Sequence, residues 1–416
     1  MEPVLQGAFA STFQALRHRN FRLWFFGQLT SLVGTWMQSI AQNWLVYELT
    51  GSAADLGLVN FVGAVPMFLL TLYAGAIADR FEKRRVVFWC QAAMMLLAFL
   101  LALLSWSGAV RFWHVLLLAF LLGSAMAIDT PARQAFAVEL VGKEDLGNAI
   151  ALNSGIFHGA RVLGPAAAGI LVATSGVAGA FFLNGLSFLA VLLALFLMDV
   201  SLIRRTGAAG ESGRDQLAGV KFLRENRVPR AVVLLVSVSA LIAMPYYVLV
   251  PIFAKEILGG SAGTYGVLMS AAGAGSVAGS LFSATPFVGK RKGRAMMTAA
   301  LVFPALLAGF AFCRSYWPSI LLFAAVGFSY VVQNAPANAI LQELVPDHLR
   351  GRVMALYVSL LLGLMRVGSL LIGWLAELTS TPAALASVGV AGVAAALWIR
   401  RRYPELTEGD THGPSP

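Results

Sequence analysis

The chain has 416 residues, of which 58% are hydrophobic and only 12% charged, and its mean hydropathy is +0.77. A soluble domain carries about 25% charged residues, so the composition excludes an ordinary water-soluble globule and makes the bilayer the solvent. The net charge of +10 does not signal nucleic acid, because the bases sit in short loops beside apolar runs, where they report topology and favour anionic lipid headgroups.

A membrane-crossing helix needs about 20 mostly apolar residues. Twelve such runs are expected, over 21–47, 55–78, 86–108, 112–136, 148–173, 177–198, 229–254, 263–288, 295–313, 317–341, 352–376 and 381–399. Met1–Asn20 lacks the apolar core of a cleavable signal. Cys90 and Cys313 lie within or at the end of apolar runs and read as small core residues. The bases test the count. Arg17, Arg19, Arg22, the cluster Arg80, Lys83, Arg84 and Arg85, Lys143, the bases of 204–230, Lys290–Arg294, Arg350, Arg352 and Arg400–Arg402 all fall on one side under this count. The other side receives Arg111, Lys255 and Arg314. Translocating Lys and Arg is disfavoured, so both termini are expected to be cytoplasmic.

The one long polar stretch, 199–228, holds a Gly/Ala/Ser-rich linker followed by a helical stretch, Gln216 to Asn226, expected on the membrane surface. It divides the chain into six-span bundles at 1–198 and 229–403, with a disordered tail at 404–416. The halves are related. When Gly123–Gly169 is slid onto Gly327–Gly373, Gly123 meets Gly327, Glu139-Leu140-Val141 meets Glu343-Leu344-Val345, Gly159 meets Gly363 and Gly164 meets Gly368. The expected fold is therefore an all-α membrane protein with twelve helices in two pseudo-symmetric six-helix bundles. Parallel repeats of this kind leave a substrate cavity near the midplane.

Gly75-x-Ile77-Ala78-Asp79-Arg80-x3-Arg84, after the second of twelve spans, resembles the loop signature of the major facilitator superfamily. Gly159-x4-Gly164-Pro165-x3-Gly169 resembles the glycine-proline motif of its antiporters. Gly34-Thr35-Trp36-Met37-Gln38, the stretch Trp44–Ser52 and Asp129-Thr130-Pro131-Ala132-Arg133-Gln134 are similar to the branch containing the enterobactin exporter, macrolide efflux proteins and a lysophospholipid transporter. The likeness covers essentially the whole chain. It implies a major facilitator fold, a monomer in the bacterial inner membrane, ion coupling, and a latch in which Asp79 faces a helix N-terminus while Arg84 pairs with Glu139 or Asp129. Glu82 stands where the signature has a second glycine. Apart from the latch, the basic loop can serve as a topology determinant with solvated charges.

Ionisable residues inside spans are costly and are functional candidates by default. Asp129 and Arg133 are spaced i,i+4 on one helix face. Ser154, His158, Arg161 and Pro165 share a face of span five, and Arg366 lies within one residue of the repeat equivalent of Arg161. In one reading Asp129 or His158 exchanges a proton while the arginines set its pKa or bind an anionic group. In the other they are structural ion pairs between helices. Gln28, Ser31, Thr35, Gln38 and Gln42 form a polar seam along span one. They line the cavity or act as interhelical hydrogen-bonding glue. Tyr246, Tyr247, Gln333, Asn334 and Asn338 are their counterparts in the second half. Trp24 and Trp44 are expected in the interfacial aromatic belt, Trp36 is a stacking candidate, and Pro245 and Pro251 are expected to kink span seven. Gly266, Ser270, Gly273, Val277 and Ser280 read as a close-packing stripe, and Gly159, Gly164 and Gly169 as a close contact across the halves.

No phosphate-binding loop, metal-ligand cluster or selectivity-filter sequence is present, so no cofactor, nucleic acid or enzymatic role is expected. The expected function is secondary transport by alternating access, exporting a small amphiphilic compound of the drug or siderophore type, coupled to protons. The alternative is a lysophospholipid transporter without clear coupling. A scaffold or sensor would tolerate loss of the Asp79 loop and would carry a soluble module.

Overall fold

The structure, a computed structural model, describes residues 14–70, 80–142, 144–203 and 217–408. Gly75 and Asp79 lie outside the described residues, as does the side chain of His158. Among the described residues there is no strand. Backbone amides and carbonyls find no water in the bilayer core, so a spanning segment must satisfy them internally, as a helix does.

The long helices are α1 (Arg19–Thr50), α2 (Ala53–Val62, continuing as helix over 65–70), α3 (Lys83–Trp106), α4 (Phe112–Val141) and α5 (Leu146–Leu197). After the short α6 (Leu217–Glu225) come α7 (Arg227–Ile242), α8 (Ala262–Ser283), α9 (Lys292–Ala311), α10 (Tyr316–Leu344), α11 (Asp347–Leu378) and α12 (Thr381–Arg402). Among the described residues, ten helices are long and apolar enough to cross a membrane. Helix α1 spans 32 residues and is diluted by its polar positions. Helix α5 is 52 residues long and cannot be straight. Gly164 and Ser187 would then stand about 34 Å apart. Yet a Cβ on Gly164 would lie 2.4 Å from Trp36 Cβ, and one on Gly34 would lie 2.3 Å from Ser187 Oγ. The chain folds back between them at Gly176, whose φ of 70° suits glycine. Counting the two limbs of α5 apart, the described residues hold twelve long helical segments.

The chain forms two compact units, 1–45 with 62–212, and 46–61 with 213–416. Because lipid tails are as apolar as leucine, helices in a membrane associate through close packing at small residues. Each unit uses the same device at repeat-equivalent positions. In the first, a Cβ on Gly123 of α4 would lie 1.9 Å from the Gly63 carbonyl oxygen; in the second, one on Gly327 of α10 would lie 1.8 Å from that of Ala272 in α8. Likewise Gly164 of α5 abuts Val33 and Trp36 of α1, and Gly368 of α11 abuts Leu241 of α7. The repeat legible in the sequence is thus a repeat of helix contacts.

In the first unit Phe21, Trp24, Val87, Phe136, Leu140 and Leu195 form one buried cluster. In the second, Val232, Val236, Met296, Leu341, Tyr357 and Ile399 form another. Helix α6 joins that second cluster through Leu223, and its Gly219 sits against Arg352 of α11. One face of it therefore packs on the second unit. The first part of α2, up to Phe61, belongs to the second unit, and its continuation from Val62, with Gly63, to the first. Glu377 of α11 accepts from Ser52 Oγ and from the Ala53 backbone N–H, each at 3.1 Å, which satisfies donors at the start of α2 that have no helical partner.

Several expectations are corrected. Trp24 and Trp44 are buried, and Trp24 meets the Phe136 ring edge-on at 5.3 Å. Exposed tryptophans are Trp89, Trp106, Trp113, Trp317, Trp374 and Trp398. The closest approach of α8 to α10 is made by Gly275, Ser276 and Gly279, on a different register from the stripe read in the sequence. Gly164 packs on α1 of its own unit, while a Cβ on Gly159 would meet nothing within 4 Å. Residues Glu405–Glu408, assigned to a disordered tail, form a helical turn anchored by Arg227–Glu405 at 3.1 Å and by buried Leu406. Span seven does break at its prolines. Helix α7 gives way to a 3-10 turn, Met244–Val248, and then to a π turn, Phe253–Ile257.

Candidate functional site

The first unit holds a buried chain of polar groups that contains an ion pair. Asp129 and Arg133 stand one turn apart on α4, with Asp129 Oδ2 3.5 Å from Arg133 Nε. Asp129 is only 3% exposed. A buried carboxylate requires a counter-charge and hydrogen bonds, and α3 supplies the second: Gln91 Nε2 donates to Asp129 Oδ1 at 3.1 Å. Arg133 Nη1 donates to Gln28 Oε1 of α1 at 3.0 Å. Because its oxygen faces Arg133, the Gln28 amide turns its nitrogen away, and that buried Nε2 has no partner. Pro131, between the two charges, lacks an N–H and so withholds the helical bond from the Ala127 carbonyl.

This chain ends at a cavity of about 560 Å3 within the first unit, between α1, α4 and the first limb of α5. Gln28, Arg133, Gln134, Asn153 and Ser154 form its polar wall, and Trp24, Leu32, Ile150 and Phe157 its apolar wall. Such a lining suits an amphiphile: aromatic surface takes the apolar body, and amides with one guanidinium orient the polar part. Pocket residues Asn153 and Phe157 were not picked out from the sequence, nor was Gln91. For Gln91 the signal was present, as a lone amide inside the apolar run 86–108.

The other candidates are dispersed. Within the seam of α1, Gln28 reaches the cavity. Gln38 is buried against the second limb of α5, accepting from Asn184 Nδ2 at 2.6 Å. Ser31 is buried, Thr35 donates back to the Ser31 carbonyl, and Gln42 is half-buried. Gln38 therefore acts as glue between helices. Ser154 lines the cavity, whereas Arg161 lies over the Trp36 ring, 5.8 Å from its centroid, and Trp36 meets Phe157 edge-on at 5.9 Å.

In the second unit, Tyr246 is buried between Phe303 and Phe323, which makes it core. Tyr247 shares a hydrogen bond with Ser369 at 3.0 Å and accepts one from Arg366 at 3.3 Å. Gln333, fully buried, donates to Ser239 Oγ at 2.7 Å. Asn334 donates to the Tyr330 carbonyl, and Asn338 accepts from Gln342. Gln333 and Ala337 occupy the repeat equivalents of Asp129 and Arg133, so the second unit keeps the position and loses the charge.

At the basic loop the pairing differs from the expectation. Lys83, not Arg84, meets Glu139, at 2.8 Å. Arg84 donates twice to the Leu195 carbonyl, at 3.0 and 2.7 Å, capping the last turn of α5, where carbonyls lack helical partners. Arg80 is exposed. Glu82 has φ −61°, so no glycine is needed there. The second unit repeats the ion pair as Lys292–Glu343.

Two repeated sets of membrane-length helices, with a buried ion pair at the wall of an amphiphilic cavity, define a multi-pass membrane transporter of the major facilitator type. The family model for transmembrane secretion effectors matches residues 10–415, and the chain belongs to that family within the superfamily. It is 26% identical to the staphyloferrin A transporter of Staphylococcus aureus (strain NCTC 8325 / PS 47), over 92% of this chain and 96% of that one. It is 27% identical to the multidrug efflux pump Tap of Mycolicibacterium fortuitum, over 85% of this chain and 88% of that one. Among solved structures, a bacterial homolog of the human lysosomal transporter Spinster, inward-facing and unoccupied, matches with a TM-score of 0.72 at 13% identity, covering 96% of this chain and 99% of that one. That last likeness bears on fold alone.

Proposed function

We propose that the protein exports a small amphiphilic compound from the cell by alternating access, with Asp129 as the group that exchanges a proton. The relatives, named for siderophore transport and multidrug efflux, support the substrate class. The observation that carries the reading is the Asp129–Arg133 pair at the wall of the 560 Å3 cavity.

The pair also sets the sign of coupling. With Asp129 charged, it cancels Arg133 and the wall is neutral. Protonation leaves Arg133 uncompensated, and the wall gains one positive charge. A neutral amphiphile loses nothing by this, a cationic one is repelled, and an anionic one is held more tightly. Proton antiport driven by this pair therefore favours cationic amphiphiles, because a ligand that binds both protonation states equally is not coupled to the proton. Of the three intramembrane arginines, Arg133 alone is among the residues lining this cavity, so the three do not gather there to bind an anionic group. The distribution of bases supports a cytoplasmic position for both termini.

The test is substrate-evoked proton movement in proteoliposomes, comparing wild type with Asp129→Asn across macrolides, catecholate siderophores and lysophospholipids. Proton flux evoked by a basic macrolide and abolished in the variant is the expected result, and flux evoked only by the anionic siderophores would overturn the sign argued from Arg133. Undiminished coupled flux in Asp129→Asn refutes the assignment. Lysophospholipid movement without proton flux would replace the drug reading by the lipid one.

A further inference from the structure

The second unit has a trough of its own, about 380 Å3, on the face shared by α8, α9 and α10. Its floor is apolar and aromatic. Phe282 packs against Phe287 and Phe328 with ring centroids 6.3 and 5.4 Å apart, and Val302 and Val332 continue the lining. Phe287, Phe282 and Val302 remain exposed. The charge is confined to one end, where Arg291 and Arg294 line the mouth. Arg291 is held there with its guanidinium 5.2 Å from the Phe287 ring centroid. Arg294 Nε bonds the Thr407 carbonyl, and Lys292 is paired with Glu343. The mouth also coincides with the start of α9, which has no acidic residue in its first turn and no side-chain cap, so the helix dipole adds to the positive potential.

The dimensions select the ligand. From Arg291 to Val302 the trough follows α9 for about 16 Å, close to the half-thickness of a bilayer core of about 30 Å. A cationic mouth in a short basic loop, continuous with an apolar trough one leaflet deep, matches one molecule with an anionic head and a long acyl chain.

We propose that this trough holds an anionic phospholipid of the leaflet facing the basic loops, its phosphodiester on Arg291 and one acyl chain along Phe282, Phe328 and Val302. The site is separate from the cavity of the first unit, and its occupancy does not depend on what that cavity transports.

The test uses the full-length protein in nanodiscs containing equal phosphatidylglycerol and phosphatidylcholine, with retained lipid read by native mass spectrometry after extraction. Wild type is expected to retain one phosphatidylglycerol in preference to phosphatidylcholine. Arg291→Gln should lower that retention about fivefold, the effect of one base near an anionic surface. Thr298→Trp, which fills the trough from an exposed position, should abolish it with an unchanged melting profile. Arg350→Gln, in another basic loop, should leave it unchanged. Equal retention of both lipids overturns the proposal. So does undiminished retention in Arg291→Gln, or a loss in Arg350→Gln as large as in Arg291→Gln, which would mean diffuse surface charge.

Discussion

Replacing Arg133 by methionine tests whether the polar chain of the first unit is an energetic unit. The perturbation keeps the aliphatic volume and removes the only cation within 4 Å of Asp129 among the described ion pairs. At 3.5 Å and an effective dielectric near 20, the Coulomb attraction is about 5 kcal/mol. The Arg133 side chain is 28% exposed, so solvent screens part of this, and about 3 kcal/mol is the expected loss, at the low end for breaking a buried pair by removing one partner. For a unit of this size that is a fall in melting temperature of roughly 6–12 °C. Gln28 Oε1 also loses its donor, which costs about 1 kcal/mol or more. The double variant Asp129→Asn/Arg133→Met shares that second loss, so the difference between single and double variants reads the charge. The assay is thermal unfolding in detergent of wild type, both single variants and the double. The double variant should recover about 2 kcal/mol relative to Arg133→Met. A single variant within about 0.5 kcal/mol of wild type, or a double variant as unstable as the single, refutes the reasoning.

Two further predictions concern packing and the basic loop. Gly327→Ala would drive a Cβ to 1.8 Å from the Ala272 carbonyl oxygen, and backbone must move, so a loss of about 1–3 kcal/mol is expected. Gly159→Ala, with open space around it, should be neutral or slightly stabilising, and parallel melting curves separate the two. Lys83→Met removes a pair whose side chains are 13% and 6% exposed and should cost about 1–3 kcal/mol. Arg85→Met removes a pair whose arginine is 80% exposed and should cost less than about 0.5 kcal/mol. Equal effects in chemical or thermal unfolding would show that burial does not govern these pairs.

The spans and the transporter class were legible because the bilayer imposes a long apolar helix on every crossing. The Asp129–Arg133 pair was legible for a related reason: two charges one turn apart in an apolar run have few other partners. What the sequence hid was the identity of neighbours. Helical spacing put Gln28 and Gln38 on one seam, yet the first faces Arg133 and the second faces Asn184. Adjacent residues on a helix point about 100° apart, and a one-residue difference decided that Lys83 and not Arg84 would meet Glu139. Trp24 and Trp44 had the positions of belt residues, but a position near the end of a span does not say whether a ring faces lipid or a neighbouring helix.

The two units share a packing plan and differ in chemistry. Equivalent glycines bring α4 to α2 and α10 to α8 at nearly the same distance, and the pair Lys83–Glu139 is matched by Lys292–Glu343. Where the first unit has Asp129 and Arg133, however, the second has Gln333 and Ala337, with Gln333 bonded to Ser239. An amide in place of the carboxylate can hold helices together but cannot change charge. A repeat that keeps the contacts and discards the ionisable pair separates two requirements that the same helix positions could have served together. If the bundles rearrange as proposed, alike packing serves both halves, whereas the proposed proton exchange needs only one acceptor. Under the proposed mechanism, coupling therefore belongs to the first unit, while at the equivalent positions the second keeps only neutral side chains, and its core holds the buried aromatic cluster of Tyr246, Phe303 and Phe323.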